Sequence, residues 1–121
     1  YVSPDWNMEN GGNFELWDER VQKQKTIISK FNRIVIMETN KSSWHSVSKV
    51  QSDRLRCCLS NYYFSKNSPY IDNKKYSHVT SFTGRPNENF KRIYGFADNF
   101  IRNLISKNLK IGRGKKLINR K

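Results

Sequence analysis

The apolar residues of this chain change period once, near residue 87, and that switch limits the possible folds more than any other feature. Phe90, Ile93, Tyr94, Ala97, Phe100, Ile101, Leu104 and Ile105 recur at i, i+3, i+4, i+7 spacing. That spacing is the mark of an amphipathic helix, predicted over about residues 88–109. Asn87 is placed to cap it, Glu88 to favour its dipole, and Gly112 lies shortly beyond its end. Lys91, Arg92 and Arg102 fall on its polar face.

Before the switch the apolar runs are short and separated by turn residues. Pro4, Asp5, Asn7, Asn10, Gly11 and Gly12 open the chain with turn chemistry. Phe14 to Trp17 alternates and reads as a short strand, Asp18 to Lys25 as a loop, and Thr26 to Ile28 as a second short strand. Arg33 to Met37 is a nearly continuous β-branched run, predicted to be a buried strand. Trp44 to Val50 alternates, with His45 and Val47 on one face and Trp44 and Ser46 on the other. Leu55 to Phe64 is the longest strand candidate, and Tyr76 to Phe82 a further one. Short strands with turns every eight to twelve residues or so predict an antiparallel sandwich or jelly roll. The fold class is therefore mainly β with a C-terminal α-helix packed on the outside of the core.

A chain of 121 residues suits one domain with a modest core. The hydrophobic fraction is low at 36%, and a 13% share of aromatic rings supplies part of the missing volume. The net charge is +13, but no acid follows Asp98 while eight cations do. The basic character is thus partly a property of the tail, residues 111–121, which reads as a solvated terminus able to make weak nucleic-acid contacts. Cys57 and Cys58 are adjacent and poorly placed to bond each other, so reduced thiols and a cytoplasmic setting are expected. No apolar run is long enough to span a membrane, and no signal peptide is visible. Without such a signal, the sequon Asn40-Lys41-Ser42 is read as chance.

Two kinds of residue could carry chemistry. His45 stands at the head of a strand, where a histidine is either structural or a metal ligand. Arg54, Arg56, Cys58, Ser60 and Tyr62 share one face of the long strand candidate by the period of two. Either arginine could lie at an exposed strand end, or face inward and bind an anion. A guanidinium suits a carboxylate because two parallel hydrogen bonds can form. Ser60 could add a hydroxyl on the same face.

Five segments occur in order: Tyr1-Val2-Ser3-Pro4-Asp5-Trp6, Gly11-Gly12-Asn13-Phe14-Glu15-Leu16, Phe31-Asn32-Arg33-Ile34-Val35-Ile36, Trp44-His45-Ser46-Val47 and Arg56 to Phe64. Together they resemble the distal half of the prolyl-4-hydroxylase type of iron(II)- and 2-oxoglutarate-dependent dioxygenases, over roughly residues 1–64. The resemblance implies a double-stranded β-helix, incomplete at its N-terminus, with residues 1–86 as its distal part and residues 87–110 as the packed helix. It implies a non-haem Fe(II) held by two histidines and one carboxylate. His45 would be the distal histidine ligand. Arg56 would pair with the far carboxylate of 2-oxoglutarate, helped by the Tyr1 hydroxyl and with Ser60 nearby. Arg54 is the alternative anchor. Asn32-Arg33 would be structural, and Gly11-Gly12 with Phe14 to Leu16 would wall the mouth of the site. The implied reaction decarboxylates 2-oxoglutarate and hydroxylates a C–H bond on a protein side chain or a small molecule, with ascorbate as an expected companion.

The chain departs from the pattern at the remaining ligands, a His-x-Asp pair expected about fifteen residues ahead of Tyr1. No histidine precedes His45, and His78, the other one, has no place in the metal set. One ligand cannot usefully hold iron. The expectation is a partner segment upstream that carries the pair, with these 121 residues inactive alone. The alternatives are a non-catalytic jelly-roll remnant, decided by whether such a pair is encoded upstream, and a nucleic-acid-binding module, decided by a steep salt dependence.

Overall fold

The computed structural model describes residues 1–40, 42–63 and 80–109, except for the side chains at 106, 107 and 109. It divides into two units, Tyr1–Asn61 and Tyr62–Lys121.

The first unit is built on three short antiparallel strands, β1 (Phe14–Trp17), β2 (Gln24–Ile27) and β3 (His45–Val47), in the order β2-β1-β3. β1 is the central strand, its backbone groups paired on both edges. The register sets Phe14 between Ile27 and Val47, and Leu16 between Lys25 and His45. Glu15 sits between Thr26 and Ser46, on the opposite face.

The β1–β2 turn is closed by its own backbone. Asp18 N–H donates to the Lys23 carbonyl (2.9 Å) and Val21 N–H to the Asp18 carbonyl (3.0 Å). The Asp18 carboxylate accepts from Gln22 N–H at 2.7 Å. That bond is the main cause of an Asp18 pKa held below its ordinary value. Val21 is buried at the tip although its φ is 53°, an uncommon conformation for a β-branched residue.

Ahead of β1, Gly11 and Gly12 both take positive φ, 66° and 61°. They bend the chain without slipping the register. Gly11 bridges Val50, Gly12 N–H donates to the Lys49 carbonyl (3.2 Å), and Ser48 N–H donates to the Asn13 carbonyl (2.9 Å). The β1–β3 ladder therefore runs on past the strand ends as single bonds.

The core beneath is small and laced with polar groups. Trp6 and Val21 are its buried apolar side chains, beside buried Ser3, Asn13, Glu15 and Ser29. Each polar member is paired, as burial demands. Asn13 accepts from Ser29 N–H (3.1 Å) and donates to the Met8 carbonyl (2.9 Å). Trp6 donates its indole N–H to the Gly11 carbonyl at 2.8 Å.

Two sequence expectations are overturned here. Residues 33–37 form no strand, and Ile34 and Ile36 are 84% and 94% exposed. Residues 55–63 form no strand either, and Leu55, Leu59, Tyr62 and Tyr63 are exposed; Phe64 lies outside the described residues. A β-branched or aromatic run becomes a strand only where a neighbour completes its ladder. What holds residues 55–57 instead is Ser3. Its hydroxyl donates to the Leu55 carbonyl (3.2 Å) and accepts from Cys57 N–H (2.7 Å), and Val2 N–H donates to the Cys57 carbonyl (3.1 Å).

In the second unit the helix α1 spans Asn89–Leu109. Its cap is Glu88 rather than Asn87. The Glu88 carboxylate accepts from Arg85 N–H (3.0 Å), and its carbonyl accepts from Arg92 N–H (3.1 Å). Lys91, ion-paired with that carboxylate, is the main reason the Glu88 pKa falls below its ordinary value. Asn99 clamps the backbone of Phe82 with two bonds, accepting from its N–H (2.8 Å) and donating to its carbonyl (2.7 Å). Gly95 permits that approach, since a Cβ there would stand 2.6 Å from the Phe82 carbonyl oxygen. The polar side of α1 thus meets residues 82–84, while Phe90, Ile93, Tyr94 and Phe100 of its apolar stripe are exposed. Of the last predicted strand, residues 76–79, with His78, lie outside the described residues, and 80–82 form no strand. The basic tail also lies outside them.

Candidate co-substrate and metal site

The ladder formed by residues 10–17 and 44–51 holds His45 near one end and, at the other, the Gly12 carbonyl to which Arg56 is tethered. That carbonyl accepts from the Ser29 hydroxyl (2.7 Å) and from Arg56 Nε. A Cβ on Gly12 would come 2.4 Å from Arg56 Cδ, so the glycine is what lets the arginine lie against the backbone. The guanidinium carbon stands 5.2 Å from the centre of the Tyr1 ring, a cation–π distance. Arg56 Nη1 points to Cys58 Sγ at 3.6 Å. No partner to Nη2 is found among the described residues. A half-buried guanidinium held at Nε, with a ring beside it, has the chemistry to receive a carboxylate through its outer nitrogens.

Tyr1 is itself held in place. Its backbone nitrogen donates to the Arg33 carbonyl (2.9 Å) and its carbonyl accepts from Asn32 N–H (3.1 Å). Asn32 has φ of 58°, and Arg33 Nη1 donates to the Ile28 carbonyl at 2.9 Å, so this pair acts as the bracket behind Tyr1.

Arg54 is used differently. Its Nη2 donates to the Pro4 carbonyl (2.7 Å) and its Nη1 to the Asp5 carbonyl (3.3 Å). Both arms of the fork are spent on the turn whose Asp5 has a φ of 52°. Ser60 is exposed, and no contact ties it to Arg56 among the described residues. Of the four predicted co-substrate residues, the structure brings Tyr1 and Arg56 together and assigns Arg54 to the turn.

At the other end of the ladder His45 faces Leu16 across the β1–β3 pair. Leu16 lies four positions along the chain from Gly12, of order 13 Å in extended backbone. Between them, the Phe14 ring lies 5.6 Å from the imidazole, tilted by 39°. His45 is exposed, and its Nδ1 lies 2.9 Å from the Ser43 carbonyl oxygen. A carbonyl only accepts, so in the neutral ring the proton sits on Nδ1 and the lone pair on Nε2, the atom that a metal would take. Nitrogen chemical shifts of the neutral ring are expected to report the Nδ1–H tautomer; the opposite tautomer would remove His45 as a ligand through Nε2.

Sequence reasoning missed what stands behind this histidine. Trp17 N–H donates to the Trp44 carbonyl (2.9 Å), and the Trp17 indole donates to Ser46 Oγ (2.8 Å), which donates in turn to the buried Glu15 carboxyl. The backbone on both sides of His45 is thus pinned to β1. The available signal was the alternation that put Glu15 and Trp17 on one face.

A family model described as the 2OG-Fe(II) oxygenase superfamily matches residues 1–64, more than half of the chain. The chain belongs to the 2OG-Fe(II) oxygenase superfamily. No curated protein and no solved structure matches it. Oxygenases of this superfamily work with Fe(II) and 2-oxoglutarate. The Arg56–Tyr1 pair fits the second of these. For the first, no group of three or more His, Cys, Asp or Glu placed to hold a metal occurs among the described residues. His45 is one nitrogen donor, not a complete iron site, so the oxygenase's metal step is not assigned to the residues described. Cys57 and Cys58 are both free and exposed.

Proposed function

We propose that residues 1–61 form the 2-oxoglutarate-binding part of a prolyl-4-hydroxylase-type oxygenase, within a double-stranded β-helix. In this reading Arg56 takes the far carboxylate of 2-oxoglutarate, and the Tyr1 ring supports the guanidinium while its hydroxyl reaches the same carboxylate. His45 contributes one ligand of the iron. The substrate is a prolyl residue, another side chain or a small molecule, and ascorbate serves as an auxiliary reductant. The metal, when bound with 2-oxoglutarate, supplies oxygen activation. The part assigned to this chain is to grip the diacid at its unreactive end and fix its direction.

The observation behind the proposal is the Arg56 guanidinium lying on Tyr1 and tethered at Gly12. Arg54 carries the same charge, but its fork is already occupied by two carbonyls. The direct test compares 2-oxoglutarate with 2-oxobutanoate, which lacks the second carboxylate, by titration against the chain. The diacid is expected to bind about tenfold more tightly or better, the ratio that a charged hydrogen bond of ~1.5–3 kcal/mol sets. Equal affinities would show that no cation reads the far carboxylate.

A further inference from the structure

One surface lies outside the co-substrate site, and the superfamily reaction makes no use of it. At about 100° per residue, the apolar residues of α1 from Phe100 round to Ile105 fill an arc of roughly 140°. Phe90 (91% exposed), Ile93, Tyr94, Phe100, Ile101 and Leu104 on that arc are all exposed. The opposite side holds the cations Lys91, Arg92 and Arg102. It meets residues 82–84 through Asn99 and Gly95, so the helix is seated by its polar side and offers its apolar side outward. Asp98, the last acid of the chain, is ion-paired with Arg102 at 2.6 Å, and seven further cations follow Arg102 with no acid among them in the sequence.

We propose that α1 lies flat in the surface of an anionic membrane, its apolar arc among the acyl chains and its cations at the headgroups. Two properties of one helix have to be satisfied together. A nucleic acid would meet the cations and leave the aromatic arc in water. A second copy would cover the arc but bring two strongly basic segments together. A bilayer carrying acidic lipid satisfies both, and basic amphipathic helices partition into such interfaces. No helix among the described residues is long and apolar enough to cross a membrane, so α1 rests on the bilayer and does not span it.

The test is flotation of the full chain with vesicles of phosphatidylcholine, with and without phosphatidylserine. Binding is expected only with phosphatidylserine and is expected to vanish at about 1 M salt, where the screening length is roughly 3 Å. Phe90→Ser with Phe100→Ser, both at exposed positions, should cut binding at least tenfold while circular dichroism shows the helix intact. Replacing Lys110, Lys115 and Lys116 by Gln should cost about fivefold per cation, equivalent to ~1 kcal/mol each. Equal binding to pure phosphatidylcholine, or no response to the phenylalanine pair, would overturn the proposal. So would dimerisation that the phenylalanine pair abolishes, protection of the arc from solvent in the free chain, or preference for an RNA oligonucleotide over the vesicles.

Discussion

Arg56→Ala is expected to weaken 2-oxoglutarate binding about 10- to 100-fold, while Arg54→Ala leaves it within about twofold. The two arginines are separated by one residue and carry the same charge, so net electrostatics cannot distinguish them. Their tethers can. Arg56 lies across Tyr1, with Nε bonded to Gly12 and Nη2 unpartnered among the described residues. Losing a charged hydrogen bond costs ~1.5–3 kcal/mol, which gives the range stated. Arg54 spends both arms on the carbonyls of Pro4 and Asp5. Its removal should instead loosen that turn, by about 1 kcal/mol or less at an exposed site. Arg56→Lys should recover only part of the affinity, because an ammonium cannot make two parallel bonds. Calorimetric titration of the three variants decides. The reverse ranking would move the anchor to Arg54, and equal losses would reduce both to bulk charge.

The second large effect concerns the two glycines, which look interchangeable in the sequence and differ in the structure. Gly11→Ala would put a Cβ 2.0 Å from the Lys49 carbonyl oxygen, which is backbone and cannot step aside. With the left-handed φ of 66° added, the cost is expected to be about 3 kcal/mol or more. For a unit of this size that lowers Tm by roughly 10 °C or more. Gly12→Ala meets a side chain instead, Arg56 Cδ at 2.4 Å. Strain from its φ of 61° should cost about 1–2 kcal/mol, and the displaced arginine should lose about tenfold in 2-oxoglutarate affinity. The affinity losses of Gly12→Ala and Arg56→Ala should then fail to add, because both act on one guanidinium. A Gly12→Ala protein with full affinity would show that Arg56 is not held where the diacid binds.

Much of the fold could be read locally. The alternation of Phe14 to Trp17 matches β1, and the spacing from Phe90 to Ile105 matches α1 to within a residue at its start. β2 starts two residues before the apolar run at Thr26, because Gln24 and Lys25 carry no apolar signal and are drawn into the strand by the closed Asp18–Lys23 turn. β3 is shorter than the alternation from Trp44 to Val50, since beyond Val47 the ladder continues only as separate bonds to Asn13, Gly12 and Gly11. The runs at 33–37 and 55–63 have the composition of strands without being strands. Composition states that a segment would accept a neighbour, not that one is present.

The site divides along the same line. Residue type marked His45 as a possible ligand and Arg54 and Arg56 as possible anchors, and the resemblance preferred Arg56 of the two. Residue type was also enough to mark Gly11-Gly12 as a turn, since few residues tolerate it. What the residues touch was settled by chain segments far apart in sequence. Tyr1 came to support Arg56, and Pro4 and Asp5 to occupy Arg54. Periodicity describes one segment at a time, whereas a hydrogen bond or a ring contact needs two, and only the folded chain determines which two meet.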